Sequence, residues 1–150
     1  MNTIFTFPKF LTRYRIVRRR RFLGRRQTLK SRPASLKLRR TRKNYIEHKE
    51  TARGIVHAKL AEHNEHYGFK WGRVAIKNMK SRWGSCSAKG NLNFHFRVAA
   101  LPAELLDYVI VHEICHLKEM NHGKEFWDLV AERIPDHKQR RKALGSVSLR

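Results

Sequence analysis

From Tyr45 to about His66, Ile46, Ala52, Val56, Leu60 and His63 fall near one face, and Tyr67-Gly68 follows as a glycine stop. That spacing predicts a long first helix. Its other histidines, His48, His57 and His66, are too loosely spaced for a metal site, so these and His63 read as a solvated polar face. In "WGRVAIKNMK", Trp71 to Lys80, Val74, Ile76 and Asn78 point one way, which predicts a strand. A turn at Ala88–Asn91 follows, with Gly90 supplying the positive φ such turns need. Leu92, Phe94 and Phe96 then alternate with Asn93, His95 and Arg97, as in a half-buried strand. The alternation turns His95 outward, to a surface or rim position.

Pro102 opens a second helix, with Glu104 and Asp107 near its positive end. Leu105, Leu106, Val109, Ile110 and Ile114 build its wide apolar face, and the helix is expected to end near Asn121. A third helix runs from Gly123 to about Arg133 and stops before Pro135. "SLKLRR", Ser35 to Arg40, alternates apolar and polar and predicts a short, charged edge strand. There is no internal repeat. The organisation is a basic arm over 1–43, a domain over 44–137 and a basic, poorly patterned tail over 138–150.

Charge changes this picture at one end. The 150-residue chain carries 34 Lys or Arg against 12 Asp or Glu, a formal +22. Residues 1–43 hold 16 of those cations and no acid, whereas the remainder has a balance of only +6. The run around Arg18, Arg19, Arg20, Arg21, Arg25 and Arg26 repels itself and does not fold alone. It reads as a flexible arm, as a binder of DNA or RNA phosphates, or as an Arg-rich targeting presequence. Phe5, Phe7, Phe10, Tyr14 and Phe22 interleave with the arginines and offer base stacking. No apolar run reaches the roughly 18 residues of a membrane span. Cys86 and Cys115 make no disulfide framework, so a soluble protein of a reducing, cytoplasmic compartment is expected.

The chemistry concentrates in "YVIVHEICHLKEMNHGKEFW", Tyr108 to Trp127. His112 and His116 lie one helical turn apart on one face, about 6 Å along the axis. Both imidazoles can then reach one Zn²⁺ at roughly 2.0–2.1 Å. Glu113 is about 100° further round, beside such a metal rather than on it. A carboxylate there can take a proton from a water that the metal acidifies, which is the H-E-x-x-H arrangement. A catalytic zinc takes three protein ligands and keeps one open position. His122 is the leading third candidate, six residues beyond His116. In one straight helix it would sit about 9 Å up the axis, so the helix must end and the chain double back. Asn121 suits a left-handed helix end. Glu125 is the alternative third ligand. Glu119 reads as a supporting or surface group, and Cys115 as a buried structural cysteine.

"HEICHLKEMNHGKEFW" together with "SRWGSCSAKGNLNFHF" resembles the YgjP-like zinc metallopeptidases, relatives of SprT-like and WLM-type zincins, over about Arg73 to Ile134. The resemblance implies an α+β, zincin-like fold: a small antiparallel or mixed sheet packed on a long N-terminal helix and the H-E-x-x-H helix, with one edge strand beside the cleft. It implies one Zn²⁺ per chain on His112, His116 and His122, Glu113 as base, and a polypeptide substrate. It also implies that Arg82, Trp83, Gly84 and Ser85 shape the cleft. Arg82 could stabilise an oxyanion or pack on Trp83. The chain departs from the family pattern in its first third, where an arginine-dense segment stands in place of a longer sheet region.

Two functions compete on this reading. One is a zinc peptidase, acting on proteins near nucleic acid if the arm binds it. The other is a basic nucleic-acid-binding protein with a structural zinc site. Glu113 discriminates, because a closed structural site has no use for a carboxylate beside its ligands. A basic binder with a decayed enzyme site ranks last, since the ligand set is complete.

Overall fold

The computed structural model describes residues 38–149. The basic run at Arg18–Arg21, Arg25 and Arg26, and Ser35–Lys37 of the expected edge strand, lie outside the described residues. Leu38–Arg40 form no strand.

Helix α1, Arg42–Tyr67, starts at Thr41, whose Oγ1 accepts the Asn44 N–H at 3.1 Å. It ends at Gly68, left-handed at φ 64°, whose N–H reaches the Asn64 carbonyl. Ala52, Val56, Leu60 and His63 form the buried stripe. Ile46 is 65% exposed instead; the stripe steps by three and four residues back from Ala52, and Ile46 lies six away. His63 is likewise corrected. It is buried, with Nε2 3.2 Å from the Asp107 carboxylate, which Lys59 also pairs at 2.9 Å. A buried imidazole is tolerated there because it has a charged partner. His66 meets Glu132 at 2.9 Å.

Strands β1, Val74–Lys77, β2, Gly84–Cys86, and β3, Leu92–His95, form one mixed sheet in the order β1-β3-β2. β3 runs parallel to β1 and antiparallel to β2, with Phe94 opposite both Ile76 and Gly84. The β2–β3 hairpin closes through Gly90 at φ 70°, whose N–H donates to the Ser87 carbonyl at 2.8 Å. β2 is an edge strand with a single partner.

The alternation expected through Phe96 stops one residue early. Phe96–Ala100 wind into a 3₁₀ helix, and His95 caps it by accepting the Arg97 N–H on Nδ1 at 3.0 Å. His95 is therefore fully buried, between the Trp83 and Phe96 rings, not on a rim. Burial first, then the Arg97 charge, holds its pKa down at about 4, so it is neutral at physiological pH.

Helix α2, Ala103–Cys115, follows Pro102. Its hydrophobic face is wide because it is covered on two sides. Leu105, Leu106, Val109, Ile110 and Ile114 join α1 and the sheet in one core. Tyr108, Val111 and Cys115 join Phe126, Val130 and Ile134 in a second. Each fully buried side chain of this size contributes about 1.5–3 kcal/mol. Helix α3, Lys124–Arg133, supplies Phe126 and Val130 to that second core. Residues expected to be an unpatterned tail instead form helix α4, His137–Gly145, which packs against α2.

Candidate metal centre

The end of α2 decides what this surface can do. The helix was expected to run to Asn121, yet it stops at Cys115 and tightens through bonds from Leu117 N–H to Ile114 and from Glu119 N–H to Cys115, both 2.9 Å. Every non-glycine residue described has negative φ, so Asn121 turns the chain without the left-handed conformation. His116 becomes the helix cap. Its Nδ1 lies 2.9 Å from the Glu119 carbonyl and donates there, which leaves the Nε2 lone pair free to bind.

The reversal brings His122 back over the helix, with its Nε2 3.1 Å from His112 Nε2. One ligand atom each from His112, His116 and His122 lies within 4.8 Å of the others, and no other such group occurs among the described residues. Zinc–nitrogen bonds of roughly 2.0–2.1 Å in a tetrahedron put neighbouring nitrogens about 3.3 Å apart. The His112–His122 spacing fits that figure, and three imidazoles suit a borderline cation such as Zn²⁺. Glu125 is exposed at the start of α3 and stands outside the group. Cys115 is fully buried toward Phe126, its thiol pushed up to about 12 chiefly by burial.

Trp127 holds the reversal in place. Its Nε1–H donates to the His122 carbonyl at 3.1 Å, and its ring stacks on His122 at 5.6 Å and on His137 at 5.4 Å. The Arg141 guanidinium sits 5.1 Å above the same ring.

Electrostatics favour neutral imidazoles here. Burial first, then His116, His122 and Arg141, holds His112 down at about 3. Burial, His116 and Arg141 lower His122. A neutral imidazole keeps the lone pair a metal needs. Glu113 points into the same space from α2 and is 5% exposed. Burial pushes its carboxyl up to about 8, with Arg82 opposing. Its Oε2 is buried and has no protein partner, so the group is poised for a ligand or a proton transfer rather than for structure.

These residues line a cleft of about 930 Å³. One wall is the β1–β2 connection and β2 itself, where Lys80, Arg82, Trp83, Gly84 and Ser85 stand. The other is α4 and the chain after it, with Arg141, Leu144, Val147 and Leu149. Arg82 is exposed in the cleft, and the guanidinium over Trp83 is that of Arg97, at 5.9 Å. Lys80, Trp127, Arg141 and the α4 wall were not anticipated. Only Trp127 left a trace, as an aromatic five residues after His122.

A family model described as YgjP-like, metallopeptidase domain, matches residues 12–146. That span is wider than the two motif blocks. The fold is similar to the crystal structure of the metallopeptidase zymogen abylysin of Pyrococcus abyssi, with TM-score 0.55 and 25% identity, over 59% of this chain and 90% of that one. It is also similar to the zymogen jannalysin of Methanocaldococcus jannaschii, with TM-score 0.53 and 23% identity, over 59% of this chain and 92% of that one. None of the curated proteins matches the sequence significantly. Among the described residues no helix is long and apolar enough to cross a membrane.

Proposed function

The chain belongs to the YgjP-like metallopeptidase family, and from that premise we propose that it hydrolyses peptide bonds with one zinc ion held by His112, His116 and His122. The observation that carries this is the convergence of three imidazole nitrogens beside a buried, unpartnered carboxyl in an open cleft. Three protein ligands suit a catalytic zinc, whereas a structural one takes four. When bound, zinc supplies Lewis acidity, polarising a peptide carbonyl and acidifying water.

The chain's own groups do the rest. Glu113 takes the proton of the attacking water on its carboxylate and returns it to the leaving nitrogen, a two-way transfer that a buried carboxyl with no protein partner on Oε2 is free to make. The unpaired edge of β2, at Gly84–Cys86, receives the substrate as an added strand. Arg82, exposed beside the centre, is placed to stabilise developing negative charge. A zincin-like architecture accords with this division between a sheet edge above and a helix below.

The test is hydrolysis of an unfolded protein by the zinc-loaded chain. Glu113→Gln is expected to lower kcat at least about 10²-fold while retaining one metal per chain, and His122→Ala to lose most of the metal. Equal turnover by Glu113→Gln removes the base assignment.

The charge of residues 1–43 supports an added role, action on proteins associated with nucleic acid. Affinity for a DNA or RNA oligomer is expected to fall steeply with salt. Affinity flat between low and moderate salt counts against it.

A further inference from the structure

Once the metal centre is accounted for, the cleft has a second property. Its walls carry Lys80 and Arg82 on one side and Arg141 on the other, and Glu113 is the only carboxylate among the described residues that line it. None of the three cations forms an ion pair among the described residues. Other acids of the described chain are taken up by other bases: Glu50, Glu62, Asp107, Asp128, Glu132 and Asp136 all pair elsewhere, and Asp136 takes Arg140, the immediate neighbour of Arg141.

The positions are also built. The Arg141 guanidinium rests on the Trp127 ring, which itself stacks on His122, so one cation is held close to the metal ligands. On the opposite wall Lys80 borders a second groove with Arg39, Arg40 and Thr41, so positive charge continues out of the cleft past the β1–β2 connection. An extended chain laid along β2 would therefore meet cations on both walls of the cleft.

Resting on the peptidase reading, we infer that the cleft selects acidic polypeptide: segments with Asp or Glu flanking the cleaved bond, engaged by Lys80 on one wall and Arg141 on the other. Unpaired cations in a concave surface concentrate field and attract the opposite charge. Repulsion equally rejects basic segments, which is how charged clefts gain specificity.

The test uses quenched, unstructured peptides of one sequence, carrying Glu, Gln or Lys at the flanking positions. Glu and Gln share a shape, so their ratio isolates charge. With the zinc-loaded full chain, kcat/KM for the Glu peptide is expected to exceed that for the Gln peptide on the order of tenfold at low salt, mainly through KM. The ratio shrinks as salt rises. Lys80→Glu with Arg141→Glu brings it to one or below. Lys70→Glu with Lys138→Glu makes the same change in net charge at exposed sites outside the lining and leaves the ratio unchanged. Lys80→Glu alone carries the test if loss of Arg141 from the Trp127 ring prevents folding.

The inference is overturned if the wild type treats Glu and Gln peptides alike, or if the outside pair lowers the ratio as far as the cleft pair. Fluorescence anisotropy of the same peptides with the Glu113→Gln protein separates the two readings. Charge-selective binding that depends on Lys80, with no cleavage by the wild type, retains the acidic site and removes the peptidase. Cleavage without charge preference does the reverse.

Discussion

Gly84 on β2 and Glu113 on α2 are in such close approach that a Cβ at Gly84 would lie 2.5 Å from Oε1 and 2.7 Å from Cδ of Glu113. The strand's edge and α2 thus share one atom's worth of space. On the proposed mechanism Gly84 is a positioning residue, because its lack of a side chain leaves the room the carboxyl occupies.

Gly84→Ala is expected to displace that carboxyl without unfolding the strand, since Gly84 does not use positive φ. Misplacing a reacting group by about 1 Å costs on the order of 10² in rate. The stability loss is about 1–3 kcal/mol, as for other overpacked sites. Turnover, zinc content and thermal melting of one preparation check this together. A variant with wild-type kcat would show that Glu113 can relocate freely.

Trp127→Phe keeps an aromatic ring against His122 but removes the N–H that reaches its carbonyl. Groups that orient a metal ligand typically contribute 10–100-fold to affinity. Zinc affinity is expected to fall about tenfold, read by competition with a chromophoric chelator. The thermal midpoint of the metal-free protein should move little. A large change there with unaltered zinc affinity would make Trp127 a packing residue only.

Asp107 ties α2 to α1 and predicts an acid-sensitive component of stability. Burial alone would raise its pKa, but hydrogen bonds from His63 and Lys59, with their charges, outweigh it and hold the carboxyl below its ordinary value. The folded value is thus below the unfolded one, near 3.9. The contribution is complete above that pH and drains away as pH falls through the folded value. Asp107→Asn is expected to cost about 1.5–3 kcal/mol at neutral pH. Its melting curve should converge with the wild type's as the pH drops below about 4. A gap of constant size across that range would exclude the ion pair as its source.

What the sequence reveals and conceals follows from the range of the interactions. The body of α2 is legible because Leu105, Leu106, Val109, Ile110 and Ile114 repeat at helical spacing and all are buried. Its end is not, because Leu117, Lys118, Glu119 and Met120 are all good helix formers. Nothing local shows that the chain turns away at Cys115, the turn that brings His122 to His112. His63 and His95 look like surface residues because their burial depends on partners the pattern cannot show. Asp107 is 44 positions from His63, and the His95 ring is enclosed by Trp83 across the sheet. Helix α4 was hidden for a related reason. It buries only His137, so "HKQRRKALG" lacks an apolar stripe even though Arg141 and Leu144 wall the cleft.

The exposed margin of β2 is only three residues long, Gly84–Cys86. So brief a ladder grips a visiting chain weakly and cannot pry a folded one open, because freeing a folded segment forfeits its packing contacts while each ladder hydrogen bond gained returns only about 0.5–1.5 kcal/mol. Used as a docking rail, it favours substrates that arrive slack, such as frayed ends and denatured stretches, and leaves well-packed neighbours intact.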